Sequence, residues 1–148
     1  MATAKQDLGD FGETAVRKCC ACPRCKRPET LKALVKNFKC ADMICDFCGY
    51  LAQVKTKTVT NLDRLPTKIL GAAWGPQKDR MAAGIYFPLY LVLVSGKKYS
   101  IFYLPADFQQ PDLFVARKPL SENARRAGWQ GFYYDLTKVP EGAIVRLV

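Results

Sequence analysis

Four of the seven cysteines fall into two CxxC pairs, Cys22-Pro23-Arg24-Cys25 and Cys45-Asp46-Phe47-Cys48, with nineteen residues between them. Each pair makes a tight knuckle that turns two thiolates to one side, and two such knuckles close the tetrahedron that structural zinc prefers. Disulfides are a weaker reading because no secretory signal precedes the pairs, and a redox CxxC would leave the second pair unexplained. Cys22, Cys25, Cys45 and Cys48 are therefore expected to hold one structural zinc ion (Zn2+). Cys19, Cys20 and Cys40 are left over and read as ordinary buried or idle thiols, although Cys19 and Cys22 also stand at CxxC spacing. Such a ribbon, about residues 19–49, stabilises a fold without naming a function.

A second set of reactive side chains surrounds the second knuckle. Asp42 lies three residues before Cys45, and Gln53 and Lys55 lie five and seven residues after Cys48. If the knuckle is the turn of a hairpin, its centre falls near residue 47 and Asp42 stands across from Gln53. Alternation along the strand turns Lys55 to the same side as Gln53. An acid, an amide oxygen and an amine then converge. Nucleases of the PD-(D/E)xK type arrange a Mg2+ site in this way: oxygen ligands hold the hard cation, and the lysine positions or deprotonates the attacking water. A polar sheet edge guarded by lysines would present the same pattern.

Two longer strings add a resemblance. Ala41-Asp42-Met43-Ile44-Cys45, followed by Cys48 and Gln53-Val54-Lys55, is similar to the catalytic segment of the DpnI-type, methyl-directed restriction endonucleases. So is Arg117-Lys118-Pro119-Leu120-Ser121-Glu122-Asn123-Ala124-Arg125-Arg126-Ala127-Gly128-Trp129-Gln130-Gly131, continuing through Asp135-Leu136, Val139-Pro140 and Leu147-Val148. The resemblance covers nearly the whole chain. It implies an α/β (α+β) fold, the PD-(D/E)xK restriction-endonuclease-like mixed sheet flanked by helices, with an inserted four-cysteine zinc ribbon. It also implies catalytic Mg2+ and, as substrate, double-stranded DNA carrying N6-methyladenine in GATC. By position, Asp42 matches the metal-binding aspartate, Gln53 the second acidic position and Lys55 the catalytic lysine. Glu13, on the first helix, matches a glutamate that supports the metal through water.

The chain departs from that family in three places. Gln53 replaces a glutamate, which removes one negative charge from the site, and Ala41 stands where proline is usual. The sequence ends at Val148, where the family continues into a winged-helix domain that also reads methylated DNA. The expectation is one nuclease-like domain, residues 1–148, without that second reader, whose place a separate DNA-reading domain or a homodimer would take.

The elements that must position these residues are legible in part. Asp7–Lys18 spaces Leu8, Phe11, Ala15 and Val16 as a short amphipathic helix, weakened by Gly9 and Gly12. Tyr50–Thr60 alternates as a strand with Gln53, Lys55 and Lys57 on one face. Leu62–Ala83, broken by Pro66, Gly71, Gly75 and Pro76, reads as one or two short helices. Pro88–Ser95 and Lys98–Leu104 read as a hairpin through Ser95-Gly96-Lys97. Leu113–Ala116, Phe132–Leu136 and Ala143–Val148 read as strands, and Ser121–Arg126 as one or two helical turns with Ser121 as N-cap, stopped by Gly128.

Composition bears on partners and mechanism. With no histidine, the chain has no imidazole base, no Ser-His-Asp or Cys-His nucleophile pair and no HExxH site. Lys and Arg number 23 against 13 Asp and Glu, a formal charge of +10, which points to nucleic acid or another anionic surface. From Arg17 to Lys57 the net charge is +7 in forty-one positions, and about +5 once four thiolates surround a dication. Arg125 and Arg126 beside Trp129 suit phosphate contacts next to an aromatic plane, or else solvated arginines beside a core tryptophan. Tyr86, Phe87, Tyr90, Tyr99, Phe102 and Tyr103 read as sheet core rather than a base-stacking platform. The longest apolar stretch, Ile85–Val94, contains Pro88 and is too short to span a membrane. The N-terminus lacks a signal-peptide core, so a cytoplasmic protein is expected. Two functions follow: a metal-dependent endonuclease of duplex DNA, reading adenine-methylated GATC, or a zinc-stabilised DNA-binding module that lost catalysis through Gln53.

Overall fold

The apolar run Leu89–Val94 is buried along its whole length, so the strand that contains it must be covered on both faces. In the computed structural model, which describes residues 4–35, 38 and 40–148, this strand is β5 (Leu89–Ser95), near the centre of a six-stranded mixed sheet. The other members are β1 (Leu31–Ala33), β2 (Met43–Cys45), β3 (Leu51–Thr58), β6 (Lys98–Leu104) and β9 (Val145–Arg146), in the order β1-β2-β3-β5-β6-β9. Only β3 and β5 run parallel; the other pairs are antiparallel. A second sheet orders β4 (Lys68–Leu70), β8 (Phe132–Asp135) and β7 (Phe114–Ala116) as β4-β8-β7. The helices are α1 (Ala4–Cys19) and α2 (Trp74–Ala82).

Alternation along β5 divides the core in two. Tyr90, Val92 and Val94 pack with Ala15 and Val16 of α1 and with Ala52 and Val54 of β3. Leu89, Leu91 and Leu93 pack on the other face with Ile69, Phe114, Phe132 and Tyr134 of the second sheet. Helix, large sheet and small sheet thus form three layers, with β3 lying between the outer two. The β5–β6 hairpin turns where the sequence marks it: Ser95 pairs with Lys98, and Gly96 takes a φ of 62° that a side chain would disfavour.

Gly12, which weakens α1 as an isolated helix, has a packing reason. A Cβ there would stand 1.8 Å from Thr56 Oγ1 and 3.0 Å from its Cβ, so the missing side chain lets α1 cross β3 at close range.

Two segments differ from their sequence reading. Only Trp74–Ala82 of the stretch 62–83 is helical; Lys68–Leu70 is a strand, in which buried Ile69 alternates with exposed neighbours and β8 supplies the backbone partners. Residues 121–128 form turns instead of a helix, and Ser121 is not an N-cap. The Gly128 N–H donates to Leu120 O and the Ala124 N–H to Ser121 O. One or two turns repay too little of the nucleation cost, and closing the loop on Leu120 satisfies the backbone instead. Gly128, at φ 76°, does end the segment. Strands β7 and β9 are also shorter than read, Leu113 lying in a 3-10 turn.

Candidate metal centre and adjoining polar site

The first knuckle follows α1 directly. The Lys26 N–H donates to Cys22 O at 2.9 Å, with Lys26 itself at φ 65°. The second caps β2, where the Gly49 N–H donates to Cys45 O at 2.9 Å and Gly49 adopts φ 80°. Pairing of Leu31 with Cys45 and a bond from the Asp46 N–H to Thr30 O fix the second knuckle beside the strand that follows the first.

Cys22, Cys25, Cys45 and Cys48 come together with all four Sγ atoms within 4.8 Å of one another. Cys22 and Cys48 lie 3.6 Å apart, Cys25 and Cys45 3.7 Å. Zn–S bonds of about 2.3 Å in a tetrahedron require S–S separations of about 3.8 Å, so the cluster fits a zinc ion with little movement. Burial pushes the Cys22 thiol up to about 11. Cys45 also pays for burial, but the Thr30 hydroxyl and the Cys48 and Phe47 N–H groups outweigh that cost and bring it down to about 6. Arg24 donates to Cys48 O and lies over the Tyr50 ring, while Arg27 covers Phe47 at 3.7 Å. The surplus thiols stay outside the cluster: Cys19 meets the Tyr99 hydroxyl at 3.2 Å, and burial pushes Cys20 up to about 11.

The same β2–β3 hairpin sets the polar site. Met43 pairs with Ala52 and Ile44 with Leu51, and the Asp42 N–H donates to Ala52 O at 2.9 Å. One step further along this register, Asp42 stands across from Gln53. The ladder to β2 ends here, and the Asp42 carboxylate takes its place by accepting the Val54 N–H at 2.7 Å. The carboxylate is thereby held by the backbone of the strand that carries Gln53 and Lys55.

Gln53 is buried at 8% exposure, and its Oε1 accepts a hydrogen bond from the Tyr134 hydroxyl of β8. Burial chiefly, and then Cys40 and Asp42, push Tyr134 far above the usual phenol range, so it stays protonated and donates. The carboxyl of Glu13 on α1 is raised above its ordinary value by burial first and then by Asp42 and Asp10, while Arg17 and Lys55 oppose the shift. Asp42 and Lys55 are therefore both within electrostatic reach of Glu13. The carboxylates of Asp42 and Glu13 are hard donors of the kind Mg2+ takes, whereas the Gln53 oxygen faces the Tyr134 hydroxyl. Tyr134 is the member that sequence reasoning missed. In Phe132-Tyr133-Tyr134, alternation marks only which residues face inward, and nothing in the string distinguishes a core phenol from one that touches Gln53 eighty-one positions away.

Of the remaining basic candidates, Lys57 continues β3 two residues beyond Lys55, and the others lie outside the hairpin. Lys57, exposed, donates from Nζ to Lys68 O at 3.2 Å. Arg125 and Arg126 are exposed on the 121–128 turns, and the Arg126 guanidinium stacks 4.7 Å from the ring of half-buried Trp129. That ring packs over Gly131, where a Cβ would come within 3.0 Å of it. Of the six aromatics read as sheet core, Tyr90, Phe102 and Tyr103 are buried, and Tyr86, Phe87 and Tyr99 half-buried. Among the described residues, no helix is long and apolar enough to cross a membrane.

Compared with known protein families, residues 2–148 match the one described as DpnI: Dam-replacing family.

Proposed function

The chain belongs to the DpnI, Dam-replacing family, and from that premise we propose that it is a metal-dependent endonuclease of double-stranded DNA, built on a PD-(D/E)xK core over residues 1–148. The substrate in this reading is a duplex carrying N6-methyladenine in GATC, gripped by Lys57, Arg125, Arg126 and Trp129. The observation that carries the reading is the Asp42 carboxylate, bonded to the Val54 N–H across from Gln53 and felt, with Lys55, by Glu13.

Asp42 and Gln53 would hold Mg2+ directly and Glu13 through water, a set of hard oxygen donors suited to that cation. A divalent cation bound there supplies Lewis acidity toward the phosphate and the attacking water. Lys55 orients that water for in-line attack and offers positive charge to the developing phosphorane. Asp42 aligns with the reaction because its second role, accepting the Val54 N–H, restrains it. The zinc cluster keeps β1, β2 and the turn into β3 in register, and so keeps Asp42 opposite Gln53.

A second reading, a DNA-binding module of the same fold without catalysis, is favoured by one observation: the Gln53 oxygen is buried and already accepts the Tyr134 hydroxyl. Gln53→Glu separates the two. On plasmid from an adenine-methylating host, the parent is expected to nick in Mn2+ and more slowly in Mg2+, because Mn2+ tolerates a less charged site. Gln53→Glu, which restores a negative ligand, should raise the Mg2+ rate toward the Mn2+ rate. Binding of the plasmid with no nicking by either protein in either metal would favour the binding module.

A further inference from the structure

Beyond the polar site, β3 runs on to a cleft of about 490 Å3 whose lining includes Lys57, Thr60, Asn61, Arg64, Thr67 and Lys68. Three of these carry positive charge and none carries negative charge. Asp63, the one acid of the segment 57–68, is turned out of the lining and neutralised by Arg146. A surface loop serving only solubility has no reason to segregate its charges in this way.

The cleft is also held in shape. The Val59 N–H donates to Val94 O at 2.9 Å, and the hydroxyl of fully buried Ser100 donates to Leu62 O at 2.7 Å. The Asp63 N–H donates to Asn61 Oδ1, and Leu136 N–H to Thr67 O, both at 2.9 Å. Lys57 reaches across the gap to Lys68 O, and Lys68 rests its ammonium over the Tyr133 ring. Lys57 and Lys68, held in this way before a ligand arrives, lose less conformational freedom on binding it.

Position supplies the link to the reaction. Gln53 touches Tyr134 and Lys57 touches Lys68, both in the second sheet, so alternation puts Gln53, Lys55 and Lys57 on one side of β3. From Lys55 to Lys57 the strand advances about 6.6 Å, the scale of a single nucleotide step. We infer that this cleft is a subsite for a backbone phosphate of the bound strand, next to the phosphate at Lys55, with Arg64 and Lys68 as its charged walls. The inference rests on the duplex-DNA reading above and adds to it a site that fixes the register of the strand.

The test is duplex binding by fluorescence anisotropy across a salt series, without divalent metal. Arg64→Gln and Lys68→Gln are compared with Lys97→Gln and Lys98→Gln, which remove the same charge from the β5–β6 hairpin. Each cleft variant should weaken binding and flatten the slope of log K against log salt by about 0.9, while the hairpin variants leave it near the parent value. Replacing one phosphate of the duplex with neutral methylphosphonate should weaken the parent at a single position and leave Arg64→Gln unaffected there. Cleft variants no different from the hairpin variants, with the parent binding duplex, would overturn the subsite and leave the DNA reading standing. A parent that binds no duplex at all would overturn both.

Discussion

Asp42→Asn is expected to bind duplex DNA at least as tightly as the parent and to cleave it roughly 10²–10³-fold more slowly or not at all, the scale of losing a positioned electrostatic group. Asp42 brings the one full negative charge among Asp42, Gln53 and Lys55, so a cation bound there would depend on it, and removing an anion from a surface proposed to face phosphate should not weaken binding. The asparagine retains an oxygen for the Val54 N–H at 2.7 Å, which separates chemistry from folding. Asp42→Ala should lose cleavage too, and in addition about 1–3 kcal/mol of stability, because that N–H is left without its partner. Lys55→Ala should lose cleavage with the cation still bound. Rates on a methylated duplex, anisotropy and thermal melting read the three effects apart. Cleavage by Asp42→Asn at the parent rate would remove Asp42 from the mechanism.

The four-cysteine cluster, if it holds zinc, predicts an effect of comparable size on folding. Structural zinc carries an apparent binding free energy of about 10–16 kcal/mol in small ribbons, against a total stability of about 5–15 kcal/mol for a typical domain. The parent should contain one tightly held zinc per chain. Cys45→Ser should lose it and melt far below the parent, since the four-cysteine cluster joins the two knuckles and the binding energy of such an ion is folding energy. Metal analysis well below one equivalent, or a Cys45→Ser protein as stable as the parent, would show that the four thiols are not a structural zinc site.

The features legible in the sequence are those fixed by short-range spacing. Two CxxC pairs determine a cluster because each knuckle needs only its own four residues, and the four thiols do converge. The register of Asp42 against Gln53 follows from the length of the knuckle turn, and the observed pairing of Met43 with Ala52 carries it through. The β5–β6 hairpin was equally local. What sequence reading missed is non-local. Strand β4 is three residues long, too short to show a period, and becomes a strand only because β8 lies beside it. Gly12 looks like a flaw in α1 until Thr56 is seen beneath it. The Tyr134–Gln53 bond joins two strands of different sheets, and no spacing rule reaches that far. The Ser121–Arg126 string has helical composition, but Gly128 and Leu120 close it as a loop first.

The most direct test of the central claim is single-turnover incubation of the zinc-loaded parent with one end-labelled duplex carrying N6-methyladenine in GATC, with no added metal, with Mg2+ and with Mn2+. Labelled product is expected in Mn2+, slower product in Mg2+ and none without added metal. Full binding of the duplex with no product in either metal would contradict that claim.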